Sequence, residues 1–365
     1  MSLNLTFIAG ARPNFMKVAP LIHAARACSD VDAALIHTGQ HYDEHMSAQF
    51  FRDLDLPHPD VHLEVGSGSH AVQTARVMTA FDKTLDDRPT DIVVVVGDVN
   101  STIACALVAT KRGVKVAHVE AGLRIRDRRM PEEINRILTD QISDFLFTTE
   151  RDAAVNLRAE GIGDEKIFFV GNVMIDTLLK HRVVARERAT VLTRLGITPR
   201  KYAVCTLHRP SNVDSPESAA RTLEAVAELA KRLKVVLPLH PRSAKQFQQF
   251  GLLDSLRASA LVIEPLGYLD FLALVDHARL VLTDSGGIQE ETTVLGVPCM
   301  TFRENTERPI TITNGTNRIV GLDPRRVASA TDEIMSSAAP EQRVPELWDG
   351  HAAERIIATL RQSTR

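Results

Sequence analysis

The chain has 365 residues, enough for two domains with separate cores. Apolar residues make up 44% of it and charged residues 24%, an ordinary globular composition that argues against a disordered chain. The formal net charge of −3 offers no general basic field for nucleic acid or an anionic membrane, and the basic run at residues 124–129 is diluted by Asp127.

The first residues carry no basic leader, and their short apolar run is broken by Gly10 and Arg12, so they read as a first strand and not a signal peptide. No stretch approaches the ~20 apolar residues of a membrane span. Cys28, Cys105, Cys205 and Cys299 are widely spaced without a C-x-x-C pair, the pattern of buried thiols in a reducing compartment. A cytoplasmic protein without membrane or nucleic-acid partners is expected.

Short β-branched runs alternate with longer helical patterns, which is the signature of a parallel α/β fold. Strands are expected at residues 5–9, 34–37, 92–96, 115–119 and 145–148, and again at 202–206, 235–240, 261–263, 280–283 and 299–302. The run Ile92-Val93-Val94-Val95-Val96 is apolar at every position, as a central strand covered on both faces requires. The halves echo each other in pattern: a first strand leads to Arg12-Pro13 in one and to Arg209-Pro210 in the other. Two doubly wound domains facing across a cleft follow, with ligands beyond the carboxyl ends of the strands. The expected division is 1–180 and 181–350, with a terminal segment 351–365 whose helix packs back on the first domain. An Arg-rich connector is expected at about residues 180–201.

The turns carry the chemistry. Gly10-Ala11-Arg12-Pro13 follows the first strand and places Arg12 and Lys17 where a phosphate or sugar hydroxyl could meet them. The segment Gly66-Ser67-Gly68-Ser69-His70 reads as a flexible loop. Asp98 and Glu120 each end a strand, and Pro131 opens a helix with Glu132 and Arg136 on one face. Three carboxylates near strand ends form an acid/base cluster whose mutual repulsion and burial raise proton affinity. Among the histidines, His41, His208 and His240 end or follow strands, and no compact metal-ligand spacing appears.

The most informative turn is Asp284-Ser285-Gly286-Gly287-Ile288-Gln289-Glu290-Glu291. A strand ends, two glycines follow and a helix begins, so free N–H groups and the positive end of the helix dipole form an anion site. Gly286 and Gly287 admit a phosphate to the backbone, Ser285 caps the helix or donates to phosphate, and Glu291 faces a ribose diol. Neither a Walker A loop nor G-x-G-x-x-G is present.

Taken together, G-A-R-P at 10–13, T-G-Q-H at 38–41, G-D at 97–98, H-V-E-A-G-L-R at 118–124, P-E-E-I-N-R at 131–136 and G-N-V-M-I-D at 171–176 resemble the non-hydrolysing UDP-N-acetylglucosamine 2-epimerases. The likeness continues with H-R at 208–209, D-S-G-G-I-Q-E-E at 284–291, T-E-R-P at 306–309 and V-G at 320–321. Asn14-Phe15-Met16 stands where that family commonly has Glu-Ala-Ile. The resemblance implies two Rossmann-like domains of the glycosyltransferase-B type, a homodimer, and no metal or nicotinamide cofactor. By similarity Arg12, His240, Phe271, Ser285, Gly286, Gly287, Glu291 and Arg308 bind UDP. Asp98, Glu120, Glu132, Arg136 and His208 form the catalytic group with Lys17 nearby, and Gln40 and His41 mark an allosteric site.

That reading implies elimination of UDP to a 2-acetamidoglucal and re-addition with a proton on the opposite face. A glycosyltransferase of the same architecture and a hydrolysing epimerase are the alternatives.

Overall fold

The computed structural model describes residues 2–10, 12–39, 53–337 and 343–363, with the side chains of Arg12 and Pro13 outside that description. Gln40 and His41, the residues expected at an allosteric site, also lie outside the described residues. The chain divides into one compact unit of Met1–Lys180 with Glu346–Arg365 and a second of His181–Pro345.

The first unit runs β1 (Leu3–Ala9), α1 (Arg12–Arg26), β2 (Val31–His37), β3 (Val61–His62), α2 (His70–Asp87), β4 (Ile92–Val96), α3 (Asn100–Lys111), β5 (Lys115–Val119), α4 (Pro131–Ile142), β6 (Phe145–Thr148), α5 (Arg151–Ala159) and β7 (Ile167–Phe169). Helix α6 (Val173–Arg188) crosses into the second unit, where α7 (Val191–Leu195), β8 (Tyr202–Thr206), α8 (Pro210–Val213), α9 (Pro216–Ala230), β9 (Lys234–Pro238), α10 (Pro241–Gln249) and α11 (Leu253–Ser259) follow. That unit continues with β10 (Leu261–Ile263), α12 (Tyr268–Asp276), β11 (Leu280–Thr283), α13 (Gly286–Leu295), β12 (Cys299–Thr301), α14 (Ile310–Thr313), β13 (Asn317–Ile319) and α15 (Pro324–Ser336). The last helix, α16 (Ala352–Gln362), returns to the first unit.

The sheets are ordered β3-β2-β1-β4-β5-β6-β7 and β10-β9-β8-β11-β12-β13, and their paired strands are parallel. Each sheet therefore reverses its winding once, between β1 and β4 in one and between β8 and β11 in the other. Crevices at such reversals are the ligand sites of open α/β sheets. Every residue of β4 is buried, and Val93 and Val95 pack with Ala104, Cys105 and Val108 of α3. The second core joins Ala203, Val235, Leu280 and Leu282 to Val226, Leu229 and Phe247.

Strands β3, β7 and β13, of two or three residues each, are additional to the expected set. The expected connector is largely helical: α6 reaches Arg188, and α7 stops at Gly196, whose φ of 58° is left-handed. The loop at 66–70 has a structural task, since the Ser69 side chain caps α2 by accepting from Val72 N. Cys105, Cys205 and Cys299 are buried free thiols whose pKa values burial pushes up, to about 12 for Cys299, while Cys28 is only half-buried.

Helix α16 buries Ile356, Ile357 and Leu360. Its first free N–H groups, at Ala352 and Ala353, donate to the Asp176 carboxylate of α6 at 3.1 and 2.7 Å. Trp348, fully buried just before the helix, donates its Nε1–H to Thr149 O at 3.0 Å. Asp176→Ala is expected to lower unfolding free energy by about 1–2 kcal/mol through loss of this cap, read from urea midpoints. An unchanged midpoint would show that the apolar face alone holds the helix.

Candidate active site

In the second unit, Asp284 follows β11 at the winding reversal and is fully buried. Its Oδ2 accepts from His208 N at 2.9 Å, Arg209 N at 2.8 Å and Asn212 Nδ2 at 2.9 Å. The carboxylate thus ties the end of β11 to the turn after β8. His208 Nδ1 lies 2.9 Å from Asp284 Oδ1, and the ring is 56% exposed, leaving Nε2 as the nitrogen available to a ligand. Burial opposes the charge on Asp284, but His208, Arg209 N–H and Asn212 more than offset it and hold the group below the ordinary carboxylate range.

Ser285 occupies the N-cap position of α13, yet its side chain makes no capping bond. The capping half of its expected role is therefore not used. Over the helix start lies a buried charge network. Arg308 Nε is 2.6 Å from Glu290 Oε1, Arg308 NH1 is 3.0 Å from Glu307 Oε1, and Arg303 NH2 is 2.8 Å from Glu307 Oε2. Against the desolvation of a buried acid, Arg308, Arg303 and Arg209 hold Glu307 well below its usual range. A Cβ on Gly286 would come within 2.6 Å of Glu307 Oε1 and 2.9 Å of Arg308 NH1, so the guanidinium sits against the helix start only because this residue is glycine. Gln289 braces the turn by donating to Ser285 O at 3.2 Å and accepting from Thr306 Oγ1 at 2.7 Å.

Burial, with the charge of Glu290 beside it, pushes Glu291 up to about 8. At neutral pH it is chiefly the neutral acid, a donor as well as an acceptor. The folded state then holds a proton that the unfolded chain releases above about 4.5, so this group's stabilising contribution declines as pH rises from there through about 8. Glu291→Gln should flatten the fall in stability across that window, and an identical pH slope in the variant would contradict the assignment. His240 is exposed at the N-cap of α10 and accepts from Arg242 N, and Phe271 is half-buried on α12.

In the first unit, Asn14 spans the other reversal: Gly10 N donates to its Oδ1 at 3.1 Å, and its Nδ2 donates to Val96 O at 3.2 Å. Lys17, one turn further along α1, forms a buried ion pair with Glu120 at the end of β5. A Cβ at Gly97 (φ 67°) would lie 3.0 Å from Lys17 Nζ and 3.6 Å from Glu120 Oε2, which places the pair against the turn that carries Asp98. Glu120 itself has φ 71°, a left-handed conformation costing ~1–3 kcal/mol that collects at functional sites. Asp98, 32% exposed, pairs with Arg136 of α4. The partner of Arg136 on its own helix is Glu133, at 2.8 Å, rather than Glu132. Glu133 also accepts the N–H groups of Ile125 and Arg126, which fixes the loop into α4. Glu132 is half-buried in the first turn.

Asp98 and Glu120 thus each face a cation, which offsets the repulsion expected of a carboxylate cluster. Such an arrangement can hold or release a proton beside an anionic ligand. Glu133, Asp284, Glu290 and Glu307 stand inside the quoted motifs but outside the expected site residues, and their place in those motifs is the signal that points to them. Among the described residues, no group of three or more His, Cys, Asp or Glu side chains is arranged to hold a metal ion. No helix of the described residues is long and apolar enough to cross a membrane.

Two parallel α/β units with charged residues at their strand ends place the chain among proteins of the glycosyltransferase-B type. A family model described as UDP-N-acetylglucosamine 2-epimerase matches residues 23–361. A UDP-N-acetylglucosamine 2-epimerase of Methanocaldococcus jannaschii is 42% identical over 364 residues, covering 98% of this chain and 99% of the relative. The chain belongs to the UDP-N-acetylglucosamine 2-epimerase family. The crystal structure of a Methanocaldococcus jannaschii UDP-GlcNAc 2-epimerase in complex with UDP-GlcNAc and UDP superimposes with a TM-score of 0.91 at 40% identity, covering 99% of this chain and all of the other. A Pseudomonas aeruginosa UDP-2,3-diacetamido-2,3-dideoxy-D-glucuronate 2-epimerase is 40% identical over 365 residues, 98% of each chain.

Proposed function

We infer that this protein interconverts UDP-N-acetylglucosamine and UDP-N-acetylmannosamine by inverting C2, without releasing the free sugar. The observation that carries the reading is the pair of cation-matched carboxylates, Asp98 with Arg136 and Glu120 with Lys17, at the ends of neighbouring strands in a chain of this family.

The C2 proton has no adjacent carbonyl, so its direct removal is prohibitive. Breaking the C1–O bond first, with the electron pair leaving on UDP, builds positive charge at C1 and acidifies C2–H. A carboxylate takes that proton and the C1=C2 double bond forms. Protonation of C2 on the opposite face and return of UDP to C1 then give the other epimer. Asp98, Glu120 and Glu132 serve as the acid/base groups, with His208, Arg136 and Lys17 supporting them. The α13 start and Arg308 stabilise the departing diphosphate, together with Arg12, His240, Phe271, Ser285, Gly286, Gly287 and Glu291. The same reading makes the protein a cytoplasmic homodimer that needs no cofactor.

The test supplies each epimer in turn, with no acceptor, and follows the nucleotide sugars chromatographically. The expected result is one equilibrium mixture from both directions. Accumulating free N-acetylmannosamine and UDP would favour hydrolysis instead. The Pseudomonas relative supports a second reading, in which the same chemistry acts on a 2,3-diacetamido uronate. Faster turnover of that sugar in the same assay would select it.

A further inference from the structure

Beneath the turns that carry Asp98 and Glu120 lies a buried polar chain outside the proposed reacting groups. Asp140 of α4 and His118 of β5 are both fully enclosed. Asp140 Oδ1 lies 2.6 Å from His118 Nδ1, and His118 Nε2 lies 2.8 Å from Gly97 O. The other oxygen, Oδ2, accepts from Gly122 N at 3.1 Å and meets Arg124 NH2 at 2.7 Å, and Arg124 reaches Glu160 at 2.6 Å.

We propose that Asp140 is a positioning residue for the epimerisation, setting the backbone that presents both Glu120 and Asp98. Its two oxygens grip His118 and Gly122, which stand two residues before and two after Glu120. That bracket spans the segment where the backbone turns left-handed, at Glu120 (φ 71°) and Gly122 (φ 79°). Through the imidazole the same carboxylate reaches the carbonyl of Gly97, the residue immediately before Asp98. One buried side chain thereby couples the ends of β4 and β5.

Both ring nitrogens of His118 are engaged, Nδ1 with Asp140 Oδ1 and Nε2 with Gly97 O. Burial opposes charge on Asp140, yet His118 and Arg124 keep it ionised, below the ordinary carboxylate range. Arg124 lies between the two carboxylates of Asp140 and Glu160.

The inference rests on the proposed function, and Asp140→Asn tests it. The amide presents a donor where the carboxylate presents an acceptor and removes the charge that Arg124 meets, so the grip on His118 and Gly122 cannot persist in its present form. The expected result is a fall in kcat of about 100-fold, as for a small displacement of reacting groups. KM and the Kd for UDP should stay within about threefold, a split that marks loss at the chemical step and not of binding. His118→Gln, which keeps a donor for Gly97 but releases Asp140, should lower kcat by about tenfold. It decides the matter by the same two readouts if Asp140→Asn does not fold. Wild-type kcat in the variant overturns the proposal, as does a parallel loss of UDP affinity and turnover. An inactive wild type counts against the functional reading instead.

Discussion

Glu120→Gln is expected to reduce epimerisation by about 10³-fold while leaving UDP binding intact, within the range general acid/base catalysis supplies. Gln fills the same volume and keeps the backbone N–H bond to Phe147 O, so the turn survives. What disappears is the carboxylate that pairs with Lys17. Stability should fall too, because Lys17 is left buried without its counter-charge, and breaking one side of a buried pair costs ~3–5 kcal/mol. Adding Lys17→Met should recover much of that stability and none of the activity. The comparison separates the chemical role from the structural one. Isothermal calorimetry with UDP checks the binding arm, and C2 exchange checks the chemical arm. A Gln variant that still exchanges the C2 proton at the wild-type rate would remove Glu120 from the mechanism.

Gly286→Ala should weaken UDP binding by about 10–100-fold, equivalent to ~1.4–2.8 kcal/mol. The new methyl group would meet Glu307 Oε1 at 2.6 Å and Arg308 NH1 at 2.9 Å. Neither neighbour can swing away freely, since Glu307 is held by Arg303 and Arg308 is held by Glu290. The network must shift as a body, and the Arg308 guanidinium then leaves its place beside the helix start. Loss of affinity measured by calorimetry, with the fold intact by circular dichroism, is the expected outcome. Unchanged affinity would mean that Arg308 does not contact the diphosphate.

Much of this organisation is legible in the residues because parallel α/β structure writes itself locally. The all-apolar run of β4 announces a strand covered on both faces, and Asp284-Ser285-Gly286-Gly287 marks a strand-turn-helix junction. The family motifs follow the same turns. Other features are facts of tertiary contact with little sequence trace. Arg136 sits four residues from Glu132 and three from Glu133, and helical spacing accommodates either partner. The loop N–H groups of Ile125 and Arg126 hold Glu133 inward, where Arg136 also meets it. Asp140 reads from sequence as one more polar residue of an amphipathic helix, although it is buried against His118, Gly122 N and Arg124. Asn14 offers a similar lesson. It departs from the usual family pattern, yet it binds the ends of β1 and β4 together across the winding reversal. The connector expected at about residues 180–201 is helical over much of its length, and Arg182 and Arg186 pair with the buried Asp276, contacts that Arg-rich composition alone does not reveal.

The most direct measurement is NMR of UDP-N-acetylglucosamine incubated with the protein in heavy water, without acceptor. Cleavage and reformation of the C2–H bond predict deuterium at C2 of both epimers, together with growing UDP-N-acetylmannosamine signals and no free sugar. A substrate that keeps its C2 proton and yields no second epimer would contradict the account.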